Sequence, residues 1–295
     1  MPTSHPYRYR HCGVTVESAI RLPHWRADTG GASADVRISC SRASQTAAPP
    51  FEQFDTDGQT IRFAVENVGE WRVDDGAHIA IRAVPGVDEA NLTLFTAGSA
   101  WAAIGAQRGW VQWHGSAVSF GSRDAWFFAG ASGTGKSSLA AACIERGGRL
   151  VADDFSRIAI HDRPAIYPSS TRIRLTDNTR FGMGAAGPNL ALHKTYRPVP
   201  SIAAEQVVLG TIVLLEWGDG PQLVWLTGAE AVVELLAQTA YRPELDMLTG
   251  RDTINAQAAM IIANRPPVFR FVRPEGGDLD EAADFLLKEL AVQVP

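Results

Sequence analysis

The sequence predicts a mixed α/β protein in which a small β-rich module precedes a larger domain of strands and helices. Upstream of about residue 90, short segments alternate apolar and polar residues, as half-buried strands do. Downstream of it, buried-strand patterns such as VVLGTIVLLEW are interleaved with helical patterns such as AEAVVELLAQTA. We therefore expect the β-rich module at residues 1–89 and the α/β domain at residues 90–295.

The N-terminal module contains three strand patterns that short turns separate. These are TIRFAV, EWRVDD and AHIAIRAV, with the turn residues Asp74, Asp75 and Gly76 between the last two. From Glu89 to about Gln107, apolar and small side chains then recur at helical spacing. This spacing predicts a helix that connects the module to the rest of the chain.

The α/β domain is predicted from strand and helix patterns that follow one another along the chain. The strand patterns are SAVSF, AWFFA, RLVAD, VVLGTIVLLEW and PVFRFVRP. The helix patterns are SSLAAACIER, AEAVVELLAQTA, TINAQAAMIIANR and DLDEAADFLLKELAVQV. Acidic residues open the last of these helices, where they interact favourably with the positive end of the helix dipole.

The composition excludes several classes of protein. With 45% hydrophobic and 20% charged residues among 295, the chain has enough apolar material for a core and is not disordered as a whole. A formal net charge of -5 predicts neither a nucleic-acid partner nor an anionic membrane. The N-terminus lacks an apolar signal region, and the longest apolar run is too short to span a bilayer. Three widely separated cysteines suit a reducing compartment, so we expect a cytoplasmic protein.

The stretch from Gly130 to Ser137, GASGTGKS, matches the Walker A pattern G-x-x-x-x-G-K-[ST] of a phosphate-binding loop. Backbone amides can converge on an anion only where φ is free and no Cβ blocks the approach, which is why the pattern needs glycines. In such a loop Lys136 binds the β and γ phosphates and the Ser137 hydroxyl binds Mg²⁺. The other residues expected to contact ATP are Gly130, Ser132, Gly133, Thr134, Gly135 and Ser138. The alternative is a glycine-rich turn between a strand and a helix that binds no ligand.

Two adjacent carboxylates, Asp153 and Asp154, follow the next helix and a short strand. A helix of about 10 residues descends roughly 15 Å, and a strand of about 5 residues climbs roughly 16 Å in return. The pair is therefore expected at the edge of the sheet where the glycine-rich loop lies. One carboxylate there could bind Mg²⁺ beside Ser137, with Asp153 as the candidate, and the other could accept the proton of an attacking hydroxyl. The residues leave open which aspartate has which role.

His114 is a third candidate catalytic residue, because SAVSF, GSRD and AWFFA together predict a β-hairpin. Pairing Phe120 with Ala125 would place His114 opposite Ala131, inside the glycine-rich loop. The imidazole could then tune an aspartate base or contact the transferred group. The alternative is a surface histidine at the start of a strand.

Two arginines, Arg172 and Arg174, alternate along the strand-like segment STRIRL shortly after the acidic pair. Residues two apart in a strand point to the same face, so the two guanidinium groups could together hold a transferred phosphate or a carboxylate. A solvated strand face is the other interpretation.

The segments HGSAV, GASGTGKSS and RGGRLVADD occur here in that order and resemble the catalytic domain of the bacterial HPr serine kinase/phosphorylase family. The resemblance covers about residues 108–158 most clearly, and it extends more distantly to phosphoenolpyruvate carboxykinases, which share the fold. It implies a P-loop domain of the HPr kinase/phosphoenolpyruvate carboxykinase type behind a small β-rich N-terminal domain. By the same resemblance His114 matches the active-site histidine, Lys136 and Ser137 the nucleotide and Mg²⁺ residues, and Asp153 with Asp154 the catalytic acidic pair.

The chain lacks the P-G-R-N-type segment that HPr-directed enzymes carry, and is therefore closer to the divergent HPr-kinase-like proteins. That branch includes kinases that phosphorylate a serine of lasso-peptide precursors. The sequence thus predicts an ATP- and Mg²⁺-dependent kinase acting on a hydroxyl, that of a serine in a peptide or protein. The alternatives are an ATPase or nucleotide-gated binding module, and a small-molecule kinase acting on free serine or a sugar. A homo-oligomer is left open.

Overall fold

The computed structural model of the chain describes residues 6–42, 54–121, 124–176 and 194–293. Contacts divide the chain into two compact units. The first comprises Met1–Trp110, Met183–Thr195 and Tyr241–Ile254, and the second comprises Val111–Gly182, Tyr196–Ala240 and Asn255–Pro295. The chain contains several sheets and helices, which confirms the mixed α/β class.

The first unit is built on an eight-stranded sheet of order β3-β1-β2-β4-β8-β7-β6-β5. Its strands are β1 (Tyr7–His11), β2 (Val14–Ser18), β3 (Arg26–Ala27), β4 (Val36–Arg42), β5 (Asp55–Thr56), β6 (Thr60–Val65), β7 (Gly69–Asp74) and β8 (His78–Ala83). Strands β6, β7 and β8 are the predicted patterns, and each pairs antiparallel with the next along the chain. Strand β4 instead pairs parallel with both β2 and β8, which the alternating patterns did not indicate.

The predicted connecting helix packs against this sheet. It comprises α1 (Glu89–Phe95), one π-helical segment at Thr96–Ala100 and α2 (Trp101–Arg108). The indole of Trp71 in β7 donates a hydrogen bond to the hydroxyl of Thr96 at 3.0 Å, so the helix belongs to the first unit. The unit consequently continues to Trp110, beyond the boundary predicted after residue 89. The short helix α5 (Pro243–Leu248) also lies in this unit.

The second unit is built on a nine-stranded sheet. Its strands are β9 (Val111–His114), β10 (Ser116–Phe120), β11 (Ala125–Ala129), β12 (Gly148–Ala152), β13 (Phe155–Ala159), β14 (Ala165–Ile166), β17 (Val207–Trp217), β18 (Gln222–Leu226) and β19 (Val268–Arg273). The order is β12-β10-β11-β17-β14-β13-β9, with β19 pairing with β17 and β18. A separate two-stranded sheet joins β15 (Arg172–Thr176) and β16 (Lys194–Pro198).

Four further helices form at the positions that the sequence predicted. They are α3 (Lys136–Glu145), α4 (Gly228–Thr239), α6 (Asp252–Ile262) and α7 (Leu279–Gln293). Helices α3 and α7 contact each other and contribute Leu139, Ile144, Leu286 and Leu290 to one buried apolar cluster on the sheet. No helix in the described ranges combines the length and the apolar character that a membrane crossing needs.

The hairpin of β10 and β11 forms as predicted, but its register differs by one residue. Ser119 pairs with Ala125, while Phe120 pairs with Gly148 of β12 on the other side. The predicted pairing of Phe120 with Ala125 was wrong, because the last pair of the hairpin is Ser119 with Ala125 and the connection between these two residues includes Phe120. His114 does not extend this hairpin either, since β9 ends at His114 and β10 begins after Gly115.

Candidate functional site

The candidate site lies at one edge of the second sheet. Strand β17 pairs parallel with both β11 and β19, so the carboxyl ends of these three strands meet at the same edge. The glycine loop, Gly130–Ser137, follows β11 directly and leads into α3. Clefts beyond the carboxyl ends of parallel strands are where α/β proteins usually bind ligands.

The backbone of the glycine loop requires its glycines. Gly130, Gly133 and Gly135 have φ values of 137°, 90° and 84°, a region that other residues rarely adopt. A Cβ on Gly130 would lie 2.7 Å from the carbonyl oxygen of Leu215 in β17. Within the loop, the hydroxyl of Thr134 donates to the Ala131 carbonyl at 2.9 Å, and the Thr134 amide donates to the same oxygen. These two hydrogen bonds therefore define a turn within the loop.

Lys136 is the first residue of α3 and is only 7% exposed. Its ammonium donates hydrogen bonds to the carbonyls of Gly130 at 2.8 Å and of Ala131 at 2.9 Å. The charge is thus held across the loop beside the amino end of the helix, and both features favour a bound anion. Of the other predicted loop residues, Ser132 and Gly133 are exposed, while Ser137 and Ser138 are half-buried.

Asp153 lies on the inner side of this edge and is 6% exposed. One carboxylate oxygen accepts a hydrogen bond from the Ser116 hydroxyl at 2.6 Å, and the other accepts from the Arg174 amide at 2.7 Å. The Ser116 hydroxyl is also 3.4 Å from the hydroxyl of Ser137. Ser116 therefore joins the glycine loop to the acidic pair. Burial raises the pKa of Asp153, although the two hydrogen bonds and the one from Ser137 lower it.

Asp154 occupies a strained position at the rim. Its φ is 67°, and the amide of Phe155 donates to the carbonyl of Asp153 at 2.9 Å, so the chain reverses tightly about it. Strand β13 pairs with β9 so that Phe155 lies opposite His114. This brings His114 Nε2 to 3.5 Å from one oxygen of Asp154, whose side chain is 30% exposed. The Asp154 carboxylate is thus accessible, in contrast to that of Asp153.

His114 consequently reaches the acidic pair, but not by the predicted route. The expected position opposite Ala131 was wrong, because a different strand pair carries His114 to the site. Its side chain is 35% exposed.

The two candidate arginines differ in their surroundings. The side chain of Arg174 is 8% exposed, and its Nη1 lies 3.6 Å from the second oxygen of Asp154. Its guanidinium also lies 5.9 Å from the centre of the Tyr196 ring. Arg172 is half-buried, and in the described ranges its side chain contacts neither aspartate. Of the two predicted arginines, Arg174 therefore lies beside the acidic pair and Arg172 does not.

The donor set fits Mg²⁺. This ion prefers oxygen ligands and is commonly held by one or two carboxylates together with phosphate oxygens and water. The Ser137 hydroxyl and the Asp153 carboxylate supply such oxygens, and both contact the Ser116 hydroxyl. No group of three or more His, Cys, Asp or Glu side chains in the described residues is arranged to hold a metal without a further ligand.

Two residues at the site were not predicted from the sequence. Ser116 lies within the HGSAV segment that was quoted for the resemblance, so the signal was present but no role was assigned to it. Arg273, at the end of β19, donates to the Thr134 carbonyl at 3.0 Å. Nothing in the segment VFRFVR distinguishes this arginine from its neighbour Arg270.

Replacing Asp153 with asparagine should stabilise the unliganded protein at neutral pH. Because burial raises the pKa of Asp153 above 3.8, its carboxyl group binds a proton more tightly in the folded protein than in the unfolded chain. The wild type therefore loses stability as the pH rises above that value, by about 1.4 kcal/mol for each unit of pKa difference. Asparagine does not ionise, so its advantage should grow from pH 4 to pH 7.5. Urea unfolding in EDTA measures this, and an advantage that does not change with pH would contradict it.

Comparison with solved structures gives a weak structural likeness. No protein-family model matches the chain, and no curated protein matches it. Among solved structures, the chain is similar to the Hpr(Ser) kinase/phosphatase from Coxiella burnetii, at 15% identity and a TM-score of 0.35. The match covers 62% of this chain and 91% of that one. At that TM-score the likeness is too weak to bear on the site.

Proposed function

We propose that the chain is a kinase that uses ATP and Mg²⁺ to phosphorylate a hydroxyl group, that of a serine in a peptide or protein. The observation that carries the proposal is the Ser116 hydroxyl, which contacts both Ser137 of the glycine loop and Asp153 of the acidic pair. The glycine loop and the two carboxylates thus lie close together, which supports a common site. Phosphoryl transfer needs this combination, because both charge neutralisation and a proton acceptor are required.

The glycine loop is proposed to bind the phosphates of ATP. Its amides and the amino end of α3 supply partial positive charge, and Lys136 supplies a full one. The ammonium already lies against the loop through its bonds to Gly130 and Ala131. Only a short movement would exchange a carbonyl partner for a phosphate oxygen.

Asp153 and Ser137 are proposed to hold Mg²⁺. Bound there, the ion would neutralise charge that develops on the phosphates during transfer. The Ser116 hydroxyl and the Arg174 amide fix the Asp153 carboxylate from two sides, so its orientation does not depend on the ligand. Its burial also makes it poorly suited to exchange protons with an acceptor from solvent.

Asp154 is proposed as the base. Its carboxylate is the more accessible of the two, and it would accept the proton of the acceptor hydroxyl as that oxygen bonds to the γ phosphorus. The bond from phosphorus to the ADP oxygen breaks in the same step. Arg174, at 3.6 Å from Asp154, places a cation where the transferred group would lie, and His114 orients the carboxylate from the other side.

The acceptor class is proposed from the resemblance, with ribosomal peptide precursors among the candidates. The net charge of -5 argues against nucleic acid and anionic membranes as partners, and we propose a cytoplasmic location. A panel of acceptors that includes peptides, a protein and free serine can distinguish a peptide or protein kinase from a small-molecule kinase.

The proposal is tested by incubating the protein with ATP and Mg²⁺ and a panel of acceptors: serine-containing peptides, HPr and free serine. Mass spectrometry of each acceptor should show the gain of one phosphate on a serine peptide or on HPr. ADP formation without a phosphorylated product would instead indicate an ATPase or nucleotide-gated module. Phosphorylation of free serine alone would indicate a small-molecule kinase.

A further inference from the structure

Arg273 is a buried arginine that contacts the glycine loop. It is the last residue of β19, lies opposite Trp217 of β17 and is 4% exposed. Its guanidinium carbon is 4.3 Å from the centre of the Trp217 ring, and its Nη2 donates to the carbonyl of Thr134 at 3.0 Å. The guanidinium is therefore held between an aromatic face and the backbone of the loop.

No carboxylate in the described ranges forms an ion pair with Arg273. Burial lowers the pKa of Arg273, yet an arginine stays charged in proteins. The contrast with Arg270 in the same strand is clear, since Arg270 forms ion pairs with Glu216, Glu230 and Glu234. A buried charge without a counter-ion lowers the stability of a fold. Such a residue is therefore expected where an anionic ligand supplies the missing charge.

The contact with Thr134 also determines where the next amide points. The peptide group that joins Thr134 and Gly135 is planar and trans, so its carbonyl and its N–H point in opposite directions. Since the carbonyl faces Arg273, the N–H of Gly135 faces away from it. Within the described ranges, no group accepts a hydrogen bond from this N–H. A Cβ at Gly135 would lie 2.4 Å from Nη2, so the close contact also depends on the glycine.

We propose that Arg273 is a positioning residue that fixes the Thr134–Gly135 peptide for binding polyphosphate and supplies the counter-charge for the bound anion. The inference rests on the proposed nucleotide site. Arg273 acts through the loop, because its guanidinium lies on the carbonyl side of the peptide and the anion would lie on the amide side. The positive charge of the Arg273 guanidinium lies one peptide group away from the Gly135 N–H. It therefore adds to the attraction of that amide for an anion.

Arg273→Met tests the proposal, because affinity and stability should change in opposite directions. The variant should bind both ATP and inorganic pyrophosphate about tenfold more weakly or worse, which corresponds to about 1.4 kcal/mol. The unliganded protein should be at least as stable as the wild type to urea, because an uncompensated buried charge has been removed. Arg273→Lys keeps the charge but loses the planar guanidinium, so it should restore part of the affinity.

Arg270→Met is the matched control, since it removes an arginine from the same strand that has acidic partners. It should lower stability and leave the affinity for ATP and pyrophosphate unchanged. If Arg273→Met behaves in the same way, Arg273 is only structural and the inference is wrong. A loss confined to ATP, with normal pyrophosphate binding, also overturns it.

The nucleotide site itself is tested by the wild type and by Lys136→Met. Binding of ATP by the wild type that weakens in Lys136→Met, together with normal binding by Arg273→Met, would overturn the inference alone. If the wild type binds neither ATP nor pyrophosphate, the proposed function fails, and the inference fails with its premise.

Discussion

Asp154→Asn is expected to reduce the rate of phosphoryl transfer by about 10²- to 10⁴-fold, the usual contribution of a positioned acid or base. Asparagine has the same shape and tolerates the positive φ of 67° at this position, so the turn should survive. It cannot accept a proton from the acceptor hydroxyl. Single-turnover kinetics with a phosphorylatable acceptor measure the rate, and calorimetry measures ATP binding, which should stay close to that of the wild type.

Asp75→Asn provides a matched control for this experiment. Asp75 also has a positive φ, of 52°, but lies exposed in the turn between β7 and β8. Its replacement should change neither rate nor affinity, which separates the chemistry of the site from the general effect of such a substitution. A normal rate in Asp154→Asn would remove Asp154 as the base. A large loss of ATP affinity would instead assign Asp154 to the nucleotide site.

The location of the site could be predicted because it depends on lengths along the chain. A strand, a glycine-rich loop, a helix and a returning strand bring Asp153 and Asp154 to the edge where the loop begins. The structure has β11, α3 and β12 at the predicted positions, and Asp153 lies near the glycine loop, joined to Ser137 through the Ser116 hydroxyl, which was not predicted. This prediction depends only on the lengths of consecutive elements, so it does not require knowledge of contacts with distant parts of the chain.

The difference between the two aspartates could not be predicted, because distant residues create it. The amide of Arg174, twenty-one positions along the chain from Asp153, binds the buried carboxylate. The tight reversal at Asp154 turns the second carboxylate towards the rim. The position of His114 could not be predicted for a different reason, because sequence patterns define a hairpin register only to within about one residue. In the structure, His114 reaches the acidic pair through the pairing of β9 with β13. The contact of Arg273 with the glycine loop could not be predicted either, because it depends on strand pairing between distant parts of the chain.

Lys136→Met is expected to weaken ATP binding by about 10- to 10²-fold, because removing one partner of a charged hydrogen bond costs about 1.5–3 kcal/mol. Methionine keeps the length and apolar stem of a side chain that is 7% exposed, so the packing beneath the loop should be preserved. The rate at saturating ATP should fall as well, since the lost charge would otherwise stabilise the phosphates in the transition state. Calorimetry with ATP and with ADP, followed by turnover at saturating ATP, measures both effects.

Lys288→Met, an exposed lysine in α7, is the control and should leave ATP affinity and turnover unchanged. The comparison is informative because Lys136 has a second role in the unliganded protein, where it bonds the carbonyls of Gly130 and Ala131. If Lys136 served only to form those two hydrogen bonds, Lys136→Met would lower the stability of the protein to urea and leave its affinity for ATP unchanged. Weaker binding with little change in unfolding by urea would instead mean that the ammonium acts mainly on the ligand. In the first case Lys136 only stabilises the conformation of the loop. In the second case it contributes to phosphate binding. Affinity and stability measured together therefore distinguish the two roles.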